Sequence, residues 1–470
     1  MTKKYPLWMF IVFPSITMLL GWGLRGYIGG GPFGAMIPGA LVALSLSMLL
    51  ELSVEAASVL VVFGAVGIGM GGEMTYGQTL GFLRNPDTMW WGTLGTTVKG
   101  SIWGLLGGIV LGLGMIYRRL PQKTVIIAFL LLLAGMLVGF KLINQPMVIY
   151  FSDPAKPRPE SWAALLFGAI AMFFYLRNKV DKIDFKIISR MAMCGFIGGG
   201  LGFGLGGFWM VMGSRLPNDV IFNSWWKAME FTFGMLLGAS LGLAVWLSRK
   251  EINSIRVIPS TEPFFASNSI WKDLLVTLYL ALLIFWVMPN YLDPIADEYG
   301  NNQGRFSMVN FADLAKMLSN FAFYGFIMIL AVMRFPKSVW QIGITLTFCY
   351  SAIDLFQEVF PDASTDTPFT LYFLMIFLMT LIVGLLTAWF QRREKILRNM
   401  FLVLTGACMV VAFIRLGLLE KSNDTASLSF FVFVCRRYFV HIIFTLSAIY
   451  ISWISYKIST ASGSWKRFNI

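Results

Sequence analysis

The sequence is short of charge. Only 13% of its 470 residues are Asp, Glu, Lys or Arg, about half the share found in an ordinary soluble domain. Its 24 acidic residues are too few to coat a globule of this size. With 57% hydrophobic residues and a mean hydropathy of +0.72, a soluble fold is excluded. Histidine and cysteine are also scarce. Cys194, Cys349, Cys408 and Cys435 all lie in apolar runs with no CxxC spacing, so neither a disulfide framework nor a cysteine metal site is indicated. There is no GxxxxGK[ST] loop, so the chain by itself is not an ATP-driven pump. No metal or organic cofactor is expected; proton or sodium coupling is the remaining option.

Apolar runs near the length needed to cross roughly 30 Å of hydrocarbon recur from end to end. They predict an all-α polytopic membrane protein with about fourteen transmembrane helices, the first over Leu7 to Leu24 and the last over Phe430 to Tyr456. The net charge of +13 resembles a nucleic-acid signal. Its basic residues, however, fall in alternate short loops: Lys3-Lys4, Arg118-Arg119-Lys123, Arg177 to Arg190, Arg249 to Arg256, Arg334-Lys337, Arg392 to Arg398 and Lys457 to Arg467. Asp87, Asp153, Asp219, Asp293, Asp297, Asp362 and Asp424 mark the opposite loops. By the positive-inside rule the basic side is cytoplasmic, as are both termini. The bilayer, not nucleic acid, is the expected partner. Lys3 and Lys4 precede an apolar run with no small-residue cleavage site, which reads as a retained span.

The chain also repeats itself. Gly67, Gly69, Gly71 and Gly72 match Gly202, Gly204, Gly206 and Gly207 at an offset of 135, and Trp90-Trp91 match Trp225-Trp226 at the same offset. Gly100, Gly104 and Gly108 then answer to Gly234, Gly238 and Gly242. This predicts a parallel four-helix repeat over 1–120 and 121–256, a weaker third unit over 257–398, and two C-terminal helices over 399–470. Two motifs are discounted. The GxGxxG at Gly67 and the GxSxG around Ser240 both lie inside membrane helices, where small residues spaced by four serve close packing.

Ionisable residues at membrane depth are functional candidates by default. Here they gather at the outer helix ends: Arg25, Glu73, Lys99, Lys141, Lys227, Glu230, Asp354, Glu358, Arg415, Arg436, Arg437 and His441. Six of the basic residues, Arg25, Lys99, Lys141, Arg415, Arg436 and Arg437, face four acids, which favours an anion. Glu73 leads into the polar stretch with Tyr76 and Gln78, and Arg25 precedes a Gly-Gly-Gly-Pro break. Both read as broken or re-entrant helices of the kind that line transporter sites. The expected substrate-binding set is Arg25, Glu73, Tyr76, Gln78, Lys99, Lys141, Trp90, Trp225, Arg436 and Arg437. The expected ion-coupling set is Glu73, Glu230, Asp354, Glu358 and His441. Tryptophans at this level stack well on sugars, but they also belong to the interfacial belt. Lys227 and the arginines near 436 also suit interfacial anchoring.

GLRG with GAMIPGALV, and GGEMTYGQT, resemble an uncharacterised family of bacterial polytopic inner-membrane proteins over the first quarter of the chain. The resemblance implies the bacterial inner membrane and a link to saccharide utilisation, and it assigns no residue a role. Together these readings predict a secondary active transporter for an anionic organic solute, such as an acidic or sulfated mono- or oligosaccharide. An outer-face transferase acting on a lipid-linked glycan and a structural subunit of a larger complex stand as alternatives.

Overall fold

A computed structural model of the protein describes residues 5–74, 76–152, 158–216, 224–255, 269–288, 291–292, 311–359, 369–419 and 430–460. Among them every regular element is helical. In order these are α1 (Leu7–Arg25), α2 (Gly31–Leu49), α3 (Val54–Gly71), the short α4 (Gly77–Phe82), α5 (Met89–Ile116), α6 (Gln122–Gly139) and α7 (Trp162–Lys179). There follow α8 (Lys182–Arg215), α9 (Trp225–Ile255), α10 (Ile270–Leu282), α11 (Phe311–Leu318) and α12 (Phe321–Arg334). The last are α13 (Leu346–Val359), α14 (Phe369–Phe390), α15 (Ile396–Leu419) and α16 (Phe430–Thr460). Ten helices among the described residues are long and apolar enough to cross a membrane, and three apolar ones are shorter. The chain is a polytopic helical membrane protein.

The side-chain distribution follows from hydrocarbon as solvent. Along α8, Ile197, Leu201 and Leu205 form an exposed apolar stripe at helical spacing, as do Ile442, Leu446 and Ile449 on α16. Water would penalise such stripes; lipid tails do not. By contrast, α2 from Gly34 and α3 from Ala57 are buried on every face, so this pair is the centre of the bundle.

Glycine sets how closely the helices approach. A Cβ at Gly100, Gly104 or Gly108 of α5 would fall on the carbonyl oxygen of Gly199, Gly195 or Met191 of α8. The matched triplet on α9 meets a different helix: Gly234, Gly238 and Gly242 face the carbonyls of Met18, Pro14 and Phe10 on α1. Gly67 and Gly71 face Val110 and Trp103 of α5, while their counterparts Gly202 and Gly206 face Phe233 and Met229 of α9. The corresponding helix pairs therefore use their glycines alike, and the two triplets turn to non-equivalent neighbours. Ser240 donates to its own helix at the Leu237 carbonyl, and its hydroxyl lies where a Cβ on Gly198 would sit, which is a packing role.

The breaks expected at Arg25 and Glu73 are present. Between α1 and α2, Gly29 and Gly31 take φ of 118° and 61°, a region L side chains rarely adopt. After α3, the segment with α4 folds down onto α5, bringing Thr79 to Lys99, ten residues in from Met89.

Gly104→Ala is expected to cost about 1–3 kcal/mol through overpacking against the Gly195 carbonyl, lowering the unfolding temperature of the purified protein. Gly406→Ala, where nothing lies near an added methyl, should leave it unchanged.

Candidate functional site: a buried polar layer at one end of the bundle

Four of the flagged basic residues have carboxylate partners. Lys99 pairs with Glu160 at 2.6 Å, Lys141 with Asp313 at 2.7 Å, Lys227 with Glu230 at 2.6 Å and Arg415 with Asp354 at 3.0 Å. Desolvating a lone charge would cost several kcal/mol, so pairing is what permits these side chains at depth. The best satisfied is Lys99, whose side chain and that of Glu160 are each 1% exposed. Lys99 also donates to Thr79, while Glu160 accepts from the Phe151 amide and the Ser152 hydroxyl.

Several of these groups also close helix ends. Lys227 donates to the Gly23 carbonyl and Arg415 to that of Gly26, two orphan acceptors at the negative end of α1. Glu73 accepts the Phe321 amide at 2.6 Å, capping the positive end of α12. Its own carbonyl accepts from Ser161.

Arg25 differs from the rest. It is 5% exposed, and no carboxylate among the described residues lies within ion-pair distance of it. Its Nε and one terminal nitrogen donate to the Gly31 carbonyl, which the glycine turn directs back at it, and the other terminal nitrogen donates to Tyr76 Oη at 2.6 Å. Three of the five guanidinium hydrogens are thereby used. The rings of Trp22, Tyr76 and Trp103 surround the guanidinium carbon, each centroid 5.5 Å away. Trp103 is held by donating to the Ile68 carbonyl at 2.7 Å. Trp22, fully buried, has an indole N–H with no acceptor. Two guanidinium hydrogens and one indole N–H in this cage are therefore without a protein acceptor.

Tyr76 links Arg25 to a second group. Its hydroxyl lies 3.5 Å from Glu230 Oε1, which also accepts from Trp226 Nε1 at 2.9 Å, while Oε2 takes Lys227. Glu230 is thus a buried hub, one hydroxyl removed from Arg25.

No protein family, curated protein or solved structure matches the chain.

The remaining sequence candidates scatter. Trp90 is 69% exposed and packs on Phe208, and Trp225 stacks on Trp209, both at the periphery. Gln78 is half-buried in α4. His441 lies between Phe413 and Tyr438, its Nδ1 buried and without a partner. Glu358, Arg436 and Arg437 fall where only the backbone is described, so their side chains lie outside the described residues. The structure does not gather Arg25 and Lys141 at one point, since Lys141 belongs with Asp313. Among the described side chains Arg25, Lys99, Lys141, Lys227 and Arg415 stand with the acids Glu73, Glu160, Glu230, Asp313 and Asp354, while Arg436, Arg437 and Glu358 of the expected set lie outside them. Glu160 resembles a loop acid with no lysine at helical spacing, and Asp313 has Lys316 three residues on in its own helix, so neither points by sequence to Lys99 or Lys141. Trp103 carried a signal: it sits one turn from Lys99 on the same face of α5. Among the described residues no group of three or more His, Cys, Asp or Glu side chains is placed to hold a metal.

Glu160→Gln or Lys99→Met alone should destabilise the protein by about 3–5 kcal/mol by stranding a buried charge, and the double replacement should recover much of that loss. Thermal unfolding of the three variants measures the coupling.

Proposed function

We propose that this protein is a secondary active transporter for an anionic organic solute, with an acidic or sulfated saccharide as the favoured substrate class. Arg25 is the observation that carries the reading. A buried cation without a carboxylate, with N–H groups unspent and three aromatic rings around it, suits a carboxylate or sulfate on a body with flat apolar faces. The unpaired indole N–H of Trp22 supplies a further donor.

Taking the ten long apolar helices, the three shorter ones and α7 all as spans gives fourteen, a count for which the loop charges alternate. In that orientation the Arg25 end faces outward, both termini are cytoplasmic, and the membrane is the bacterial inner membrane. The like use of Gly67 and Gly71 on α5 and of Gly202 and Gly206 on α9 supports the duplicated four-helix unit. Units of this kind can rock about a site between them.

Glu230 is the coupling group of this scheme. Protonating it would weaken its bonds to Lys227, Trp226 and Tyr76, and so loosen the hydroxyl that holds Arg25. Asp354, paired with Arg415, and Glu73, capping α12, are less suited because neither bonds the Tyr76 hydroxyl that holds Arg25, as Glu230 does. The same engagement weighs against a transferase that uses either as its base.

Purified protein in liposomes should accumulate labelled acidic sugar under an inward proton or sodium gradient. Arg25→Gln should reduce uptake at least tenfold. Glu230→Gln should retain solute exchange but lose its dependence on the gradient. If no acidic solute in a broad panel is taken up, the reading fails.

A further inference from the structure

A cleft of about 260 Å³ opens beside the buried ion pairs, on elements that do not touch Arg25. It lies between the π-helical turn Phe140–Asn144 that follows α6, the segment leading to Glu160, and α11.

Asn144 is the informative residue. It is 5% exposed and lines the cleft, and its Oδ1 accepts the Ala164 amide at 2.9 Å. That bond fixes which way round the amide sits, since only the oxygen can accept an N–H. Its Nδ2 is buried with no acceptor. Leaving such a donor unpaired costs about 1–3 kcal/mol, so a ligand oxygen there would be rewarded.

The surrounding charge defines that oxygen. Glu160 and Asp313 contribute to the wall, but each is neutralised by a lysine behind it, Lys99 and Lys141. Arg158 is exposed at the rim, its backbone held by two 2.7 Å hydrogen bonds with the Tyr150 hydroxyl. Lys316 stands opposite, 4.8 Å over the Phe140 ring. An arginine at the rim over a neutralised floor, with an unpaired amide donor and a phenol ring alongside, selects an oxyanion.

We infer that this cleft is a second ligand site, for a small hydroxylated oxyanion whose carboxylate, sulfate or phosphate meets Arg158 while an oxygen accepts from Asn144 Nδ2. A soluble acidic sugar and an anionic lipid headgroup share this chemistry. The inference does not rest on the transport reading and shares no residue with the Arg25 cage.

Binding is measured on the full chain carrying Arg25→Gln, in nanodiscs of zwitterionic lipid, so that only the cleft is read. Calorimetry with glucuronate should give saturable binding, with glucose at least tenfold weaker. Arg158→Ala should weaken glucuronate at least tenfold, as should Asn144→Asp, which keeps the acceptor for Ala164 and removes the donor. If phosphatidylglycerol in the disc abolishes glucuronate binding and is retained by native mass spectrometry in an Arg158-dependent way, the lipid headgroup is the source. If the Arg25→Gln protein does not fold, hydrogen exchange on the unsubstituted chain replaces calorimetry. Glucuronate or phosphatidylglycerol should then slow exchange at residues 140–152 and 311–318. Absence of binding and protection by either probe, equal affinity for glucose, or indifference to Arg158→Ala overturns the inference.

Discussion

The α5–α8 contact governs the arrangement of the polar layer. At Gly100 and Gly104 the two backbones approach until carbonyl oxygens occupy the space a Cβ would need. Lipid offers no hydrophobic drive for helix association, so close backbone packing of this kind has to supply the cohesion. Its consequences run outward along α5. Lys99 and Trp103 flank this contact, one reaching Glu160 and the other reaching the α3 carbonyl of Ile68. Phe203, on the facing stretch of α8, stacks on Phe233 with centroids 3.8 Å apart and closes the wall behind Tyr76. The cage around Arg25 is therefore built by a glycine contact deeper in the bundle.

The polar layer follows a second constraint, that charge in a low dielectric must be matched locally. Lys99, Lys141, Lys227 and Arg415 each meet a carboxylate, and Lys227, Arg415 and Glu73 also satisfy helix ends. Many intramembrane charges here therefore have a structural occupation. What stands out is the cation that lacks one. Arg25 is stabilised by carbonyl, phenol and aromatic faces, none of which cancels its charge. In the proposed transport scheme those fixed donors are what would pre-organise the cage for an anion.

Tyr76 gives this arrangement a means of response. Its hydroxyl touches both Arg25 and Glu230, so a change of charge at Glu230 reaches the cage through one side chain. Neither residue is near the other in sequence. The link exists because the backbone breaks after α3 and turns Tyr76 inward between α5, α8 and α9.

Composition and hydropathy alone determined that the chain is a helical membrane protein, because solvent class is set by the sum of side chains and needs no contact map. Sequence also located the breaks at Arg25 and Glu73, since glycine runs and polar interruptions act locally, and it gathered the ionisable residues at one end. Pairing was decided by tertiary structure. Lys99 was visible as a buried base, but its partner Glu160 lies 61 residues away in what reads as a loop. Trp103 was one aromatic among many apolar residues of α5 until α1 and α3 closed on it. Charge and hydrophobicity are properties of residues and can be read along a chain; neutralisation, enclosure and an unspent hydrogen-bond donor are properties of neighbours, and only folding supplies those.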